Sequence, residues 1–326
     1  MTSLEFESLH ERRSVTLKEA TSNRAVRELM PAEHNPRPRE PVPADRFLTM
    51  FVPEAWSPAR RFSFFLGPPF PETRRLVQAA RAAENRRQKF CVLADLANHL
   101  RPGLSKDNEE LESTGFTSAT NSKRYAAVVE TLFLELYSSL DVIRTTLYEA
   151  YHPRIRGLPR DSTERLLRRV SEGYYGPEFP EPLLHPLSSA FRTWYAELRR
   201  VRVEISHGDI GRCHIDPSSG RVVYMHTNLG PPERSLVIDD LEAKVEELAV
   251  GVRDLVDSVF SFLCSELQSV EVQLPCGFFR GRLYERLVAY SDQLDFNSGV
   301  CYSRWWFEIE PEHLCPMRKR CGAYSR

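Results

Sequence analysis

Long apolar runs are missing from this 326-residue chain. Stretches such as Leu132–Leu134 fall far short of the roughly 20 residues a membrane-spanning helix needs. The opening residues, MTSLEFESLHERR, hold no apolar stretch of the kind a secretory signal requires. The sequence therefore predicts a cytoplasmic chain with no membrane partner. Net charge is also nearly absent: 44 Lys and Arg face 45 Asp and Glu, a formal −1. That counts against a general DNA-coating role driven by a global basic field but leaves room for a local basic site. Lysine is scarce, six of the 44, so the cations are mostly planar guanidinium groups suited to phosphate. There is no Walker loop, GxGxxG, HExxH or GxSxG pattern and no aromatic-rich RNA-binding signature, so the corresponding chemistries have no support. Cysteines number seven and include no Cys-x2-Cys pair. An odd, scattered set reads as reduced thiols rather than a disulfide framework.

What is present is helical periodicity. Residues 1–30 are weakly amphipathic. Pro31–Pro43 carries five prolines in thirteen residues, an extended linker or surface strap. Phe47–Val52 and Phe62–Leu66 look like short strands. Glu72–Leu100 reads as a helix stopped by Arg101-Pro102-Gly103, with a mobile loop over Ser105–Thr120. Asn121–Tyr151 is the clearest helix, with Val129, Leu132, Leu136, Leu140, Ile143 and Leu147 in one stripe. A shorter helix starts at its N-cap Ser162, with Glu164 and Arg168 as a supporting charge pair. Leu183–Ser206 is expected as one long helix ended by Gly208, and Asp239–Leu267 as a third. Between them Cys213–Asn228 reads as a β-hairpin turning at Asp216–Gly220, with His214 and His226 on a solvated surface. In the tail, Arg282–Tyr290 suggests a helix and Cys301–Ile309 a strand. The expected organisation is an N-terminal extension with a Pro-rich linker and one long helix (1–120), a helical domain (121–268) and a small Cys-containing extension (269–326). The fold class is mainly α: a helical bundle with a β-hairpin insertion and flanking α+β extensions. Leu136, Leu140, Trp194, Leu198, Val252 and Leu255 are its expected core.

One constellation carries chemistry: Leu198-Arg-Arg-Val-Arg-Val-Glu-Ile-Ser-His-Gly-Asp209, at the end of a long amphipathic helix. Arg202 precedes His207 with four residues between, and Arg200 with six. Arg27 with His34 and Arg221 with His226 meet similar spacings but do not end such a helix. Histidine titrates near neutral pH and can take or give the proton in RNA cleavage by the 2′-hydroxyl. A guanidinium can hold two oxygens of the phosphate as its charge grows. The competing reading pairs Arg202 with a carboxylate such as Asp141 and leaves His207 as a residue favoured by the helix C-terminus.

This pattern resembles the HEPN (higher eukaryotes and prokaryotes nucleotide-binding) superfamily, whose motif is an Arg, four to six residues, then His at a helix end. The resemblance covers residues 121–267 at most. It implies a HEPN-like bundle in which Arg202 and His207 of two protomers line a dimer cleft and cleave RNA without metal or cofactor. It implies a homodimer, RNA as a partner, and a toxin or defence role. Arg200, Ser139 and Asp141 are the substrate-binding candidates, since HEPN domains often set a polar residue of an earlier helix against the Arg/His pair. The sequence departs from the family at Val203, where a polar residue, often Asn, usually follows the Arg. A non-catalytic binding or dimerisation module of the same fold is the alternative. In the tail, Cys301, His313, Cys315 and Cys321, with Cys276 as a substitute, could supply soft ligands. Their spacing is irregular, unpaired thiols are the plainer reading, and no metal is assigned.

Overall fold

The computed structural model describes residues 49–50, 56–71, 73–207, 209–226, 236–268, 270–279, 282–290, 295–309 and 314–325. The helix expected over 1–30 and the Pro31–Pro43 linker lie outside them. Residues 48–326 form one unit. Thr49–Met50 is strand β1, within the expected Phe47–Val52 run.

The first helix, α1 (Pro58–Phe65), replaces the strand expected at Phe62–Leu66. Ser57 caps it, accepting from Arg60 N at 3.2 Å, and Pro58 occupies the first turn, where a missing N–H costs nothing. Helix α2 (Arg74–Leu100) follows as expected. The stretch expected as a mobile loop is helix α3 (Pro102–Thr114). Pro102 opens a new helix rather than merely stopping the old one, and Gly115, at φ 72°, closes it.

Helix α4 (Thr120–Tyr151) is the centre of the molecule. Its N-cap residue, Ala119, has no capping side chain. Asp107 of α3 does that work, accepting from Ser122 N at 2.8 Å and Asn121 Nδ2 at 2.7 Å. Ser162 caps α5 (Thr163–Ser171), as expected, but Glu164 pairs with Arg199 at 3.2 Å rather than with Arg168. The single helix expected over Leu183–Ser206 is two: α6 (Glu181–Arg192) and α7 (Tyr195–His207). At the break Thr193 Oγ1 donates back to the Ser189 carbonyl, a bond that bends helices. The adjacent Trp194 lies against Gly251, where a Cβ would stand 2.7 Å from Nε1.

Strands β2 (Arg212–Ile215), β3 (Val222–His226) and β4 (Leu236–Ile238) form an antiparallel sheet in that order. The hairpin turn falls where expected. Asp216 accepts from Ser218 and Ser219, whose hydroxyl and amide bonds hold its carboxyl down to about 2. Asp240 caps α8 (Leu241–Ser265), which packs on α1, α4 and α6. The tail reverses both expectations. Arg282–Ala289 is strand β6, paired with β5 (Glu271–Phe279), because its side chains alternate between a buried and an outer face. Only Val300–Cys301 is strand β7, and Arg304–Ile309 is helix α9. The sheet runs β1-β5-β6-β7, and helix α10 (Gly322–Ser325) ends the described chain.

The protein is thus mainly helical with a β-hairpin. Among the described residues no helix is long and apolar enough to cross a membrane. Helix α4 packs along α2 and against α7 and α8. Leu136, Leu140, Leu198, Val252 and Leu255 are buried, and Trp194 is partly so. The core runs unbroken from Ala59 to Val288, through the expected boundaries at 120 and 268.

Where α2 meets α4, the buried Glu135 takes Arg86 at 2.7 Å and Lys89. Burial pushes its pKa up, but the bonds from Lys89 and Arg86 outweigh that and leave it below the ordinary glutamate value. A carboxyl with a depressed folded pKa stabilises the protein above its unfolded pKa, about 4.3, and loses that contribution as pH falls through the folded value. The stability gap between wild type and Glu135→Gln is therefore expected at pH 7 and should close below about pH 4. Urea unfolding across that range checks it; a gap that widens toward acid contradicts the assignment.

Candidate functional site

Helix α7 delivers both motif residues. Its polypeptide runs antiparallel to α4: Arg202 lies beside Tyr137, then Gly211 beside Glu130, then Cys213 beside Ser122. The Arg202 guanidinium lies 5.3 Å from the Tyr137 ring centroid, a cation–π contact. Tyr137 in turn stacks with Tyr195, 6.4 Å between centroids. A cation–π contact uses no N–H···O hydrogen bond, which leaves the guanidinium N–H groups for other acceptors. Among the described residues Arg202 has no carboxylate partner. Asp141 is engaged elsewhere, accepting from Thr163 Oγ1 at 2.6 Å with Arg144 3.9 Å away.

His207 is the last residue of α7 and is exposed. Five residues of α-helix place it about 140° around the axis from Arg202. Arg200, also exposed, is seven residues from His207 and shares its face two turns away. Within one chain, then, Arg202 and His207 do not share a helix face. Ser139 is buried and donates to the Glu135 carbonyl at 2.9 Å, so its hydroxyl serves its own helix. The structure brings Arg202 to Tyr137 and leaves His207 and Arg200 open. It does not bring Ser139 or Asp141 to either motif residue.

The sequence reading missed Glu130. Seven residues before Tyr137, it lies near the same side of α4, two turns away. Its buried Oε1 accepts from Gly211 N at 2.7 Å and from Tyr224 OH at 2.8 Å. It therefore pins the chain four residues beyond His207 to α4. Burial, then the Glu130 charge, pushes the Tyr224 hydroxyl far above its ordinary range, so it stays a donor. Gly211 is needed here because a Cβ would enter the Tyr224 ring. An acidic residue inside the buried stretch of α4 was the available signal.

The hairpin histidines separate. His214 is exposed and pairs in register with Val223. His226, expected in solvent, is buried opposite Leu236, stacked on Tyr224, and neither of its ring nitrogens has a hydrogen-bond partner among the described residues.

Comparison of the chain with protein-family models, with curated proteins and with solved structures returns no match.

Proposed function

We propose that this chain is a HEPN-like endoribonuclease of a toxin or defence type, acting as a homodimer, in which Arg202 holds the scissile phosphate and His207 moves the proton. One observation carries the reading. Arg202 lies on Tyr137 without a carboxylate partner among the described residues, while His207 stands exposed at the helix end on another face. A phosphate touched by both groups is most simply reached with Arg202 of one copy and His207 of the other. The 2′-hydroxyl attacks phosphorus, its proton passes to a base, and the 5′-oxygen leaves with a proton. Neutral imidazole serves the first transfer and imidazolium the second. The two-pronged guanidinium stabilises the charge gathering on the equatorial oxygens. Exposed Arg200, on the His207 face, would extend the phosphate path.

The test is incubation of the full-length protein with single-stranded RNA in buffer free of Mg²⁺ and Mn²⁺. Cleavage leaving 2′,3′-cyclic phosphate ends, from a species sedimenting as a dimer, is the expected result. Products ending in a 3′-hydroxyl, or dependence on added divalent metal, would overturn it.

Ser139 and Asp141 are committed within the bundle, and Val203 follows Arg202. Those observations favour a second reading, a non-catalytic binding or dimerisation module. It predicts a dimer that leaves RNA uncut.

A further inference from the structure

We propose that Cys276, Cys301, Cys315 and Cys321 form a structural tetrathiolate zinc site that pins the C-terminal sheet together. The four thiols line one cavity of about 20 Å³, room for a single water-sized guest. They arrive from separate segments. Cys276 sits at a bulge in β5: Pro275 pairs with Glu285 and Gly277 with Tyr284, so Cys276 is the extra residue. A bulge re-aims its side chain, here onto the face of Arg286 and Cys301, which are cross-strand partners on β6 and β7. Cys315 and Cys321 bracket a compact turn, closed by Arg318 N to Cys315 O at 3.1 Å and Cys321 N to Met317 O at 2.9 Å.

A further feature points to thiolates rather than inert thiols: Arg286. It is 2% exposed, among the most buried large side chains, yet no carboxylate faces it among the described residues. It donates to the Phe296 and Ser298 carbonyls, at 2.7 and 2.9 Å, and to Cys321 Sγ at 3.5 Å. A buried cation with no anion is costly. Four thiolates on Zn²⁺ carry a net −2, and Arg286 beside them offsets part of it. Two disulfides would leave the guanidinium uncompensated.

The main core reaches the tail through Leu274 and Val288, but around the thiols the buried cluster among the described residues is small, with Cys276 and Tyr284 as its fully buried members. Small units of this kind need a staple. Zinc uptake by the four thiols releases four protons as four Zn–S bonds form, so binding weakens as pH falls. Among the described residues no three His, Cys, Asp or Glu side chains already hold a common ion-sized point, so closure of the thiols accompanies binding. His313 lies outside the described residues.

The experiment is metal analysis of the full-length protein expressed with zinc and passed through gel filtration. About one zinc per chain is expected, with sulfur scatterers at about 2.3 Å by X-ray absorption. Cys315→Ser and Cys321→Ser should each lose the metal, whereas Cys91→Ser, which changes an exposed thiol, should keep it. If the serine variants fail to fold, cobalt loading of the wild-type chain still decides. Tetrahedral tetrathiolate cobalt shows intense visible bands and a near-ultraviolet sulfur charge-transfer band. Metal-free folded protein with all four thiols open to titration, an iron–sulfur chromophore, or two disulfides by mass spectrometry would each overturn the proposal. None of these outcomes bears on RNA cleavage, which uses α7.

Discussion

Replacing His207 by alanine is expected to lower RNA cleavage about 10²- to 10⁴-fold, the usual loss when general acid–base help is removed. The melting temperature should barely move, because the exposed His207 ring adds nothing to the core. Arg202→Ala should be comparably damaging. Arg202→Lys should recover only part of the activity, since an ammonium cannot grip two phosphate oxygens in one plane or stack on Tyr137 as a guanidinium does. The placement of the two residues on different faces of α7 makes a sharper claim. If each cleft takes Arg202 from one copy and His207 from the other, the two alanine variants are inactive alone but complement on mixing. Random exchange makes half the dimers mixed, and each mixed dimer holds one intact cleft of two. Recovery to about a quarter of wild-type activity is expected. Activity in His207→Ala alone, or no recovery in a mixture shown to exchange subunits, rules out the shared cleft. The binding-module reading predicts no cleavage from any of these proteins.

The long helices were legible because their stripes are long: Val129 to Leu147 in α4 repeats over several turns, enough to outweigh local ambiguity. The errors cluster where one residue carries two meanings. Pro102 reads as a stop, yet its missing N–H and fixed φ suit the first turn of α3. Ser57-Pro58 is a helix-start signal, but the aromatic run Phe62–Phe65 drew the reading toward strand. Strand β6 was hidden by Arg286. Tyr284, Arg286 and Val288 are buried in alternation, and a charged residue at the middle position erases the period-two pattern. Carbonyls and a cysteine sulfur from other segments meet that charge, partners that local sequence cannot reveal. The motif pair was readable by spacing, but its geometry was not. Whether Arg202 found Asp141 or Tyr137 depended on how α4, α5 and α7 pack, and Thr163 reached Asp141 first.

Glu130 is where fold and candidate site meet, and its replacement is expected to damage both. Glu130→Leu fills similar space but strands two donors, Gly211 N–H and Tyr224 O–H, in a buried setting. Each unsatisfied donor costs about 1–3 kcal/mol, so the loss in urea unfolding should be several-fold larger than for a surface change. Glu130→Gln should be much milder. Both bonds fall on the same oxygen, which the amide carbonyl can replace, and only its NH₂ group is left to find room. Tyr224→Phe removes one donor, so its effect combined with Glu130→Leu should be less than the sum of the two. The coupling has a functional side. Glu130 fixes Gly211, four residues beyond His207, and thereby the exit of the chain from α7. Glu130→Leu should therefore reduce cleavage even at temperatures where it remains folded, whereas Glu130→Gln should retain most of it. A leucine variant as stable as wild type would show that the carboxylate is not the anchor. One that is destabilised yet fully active would show that the exit from α7 does not set the position of His207.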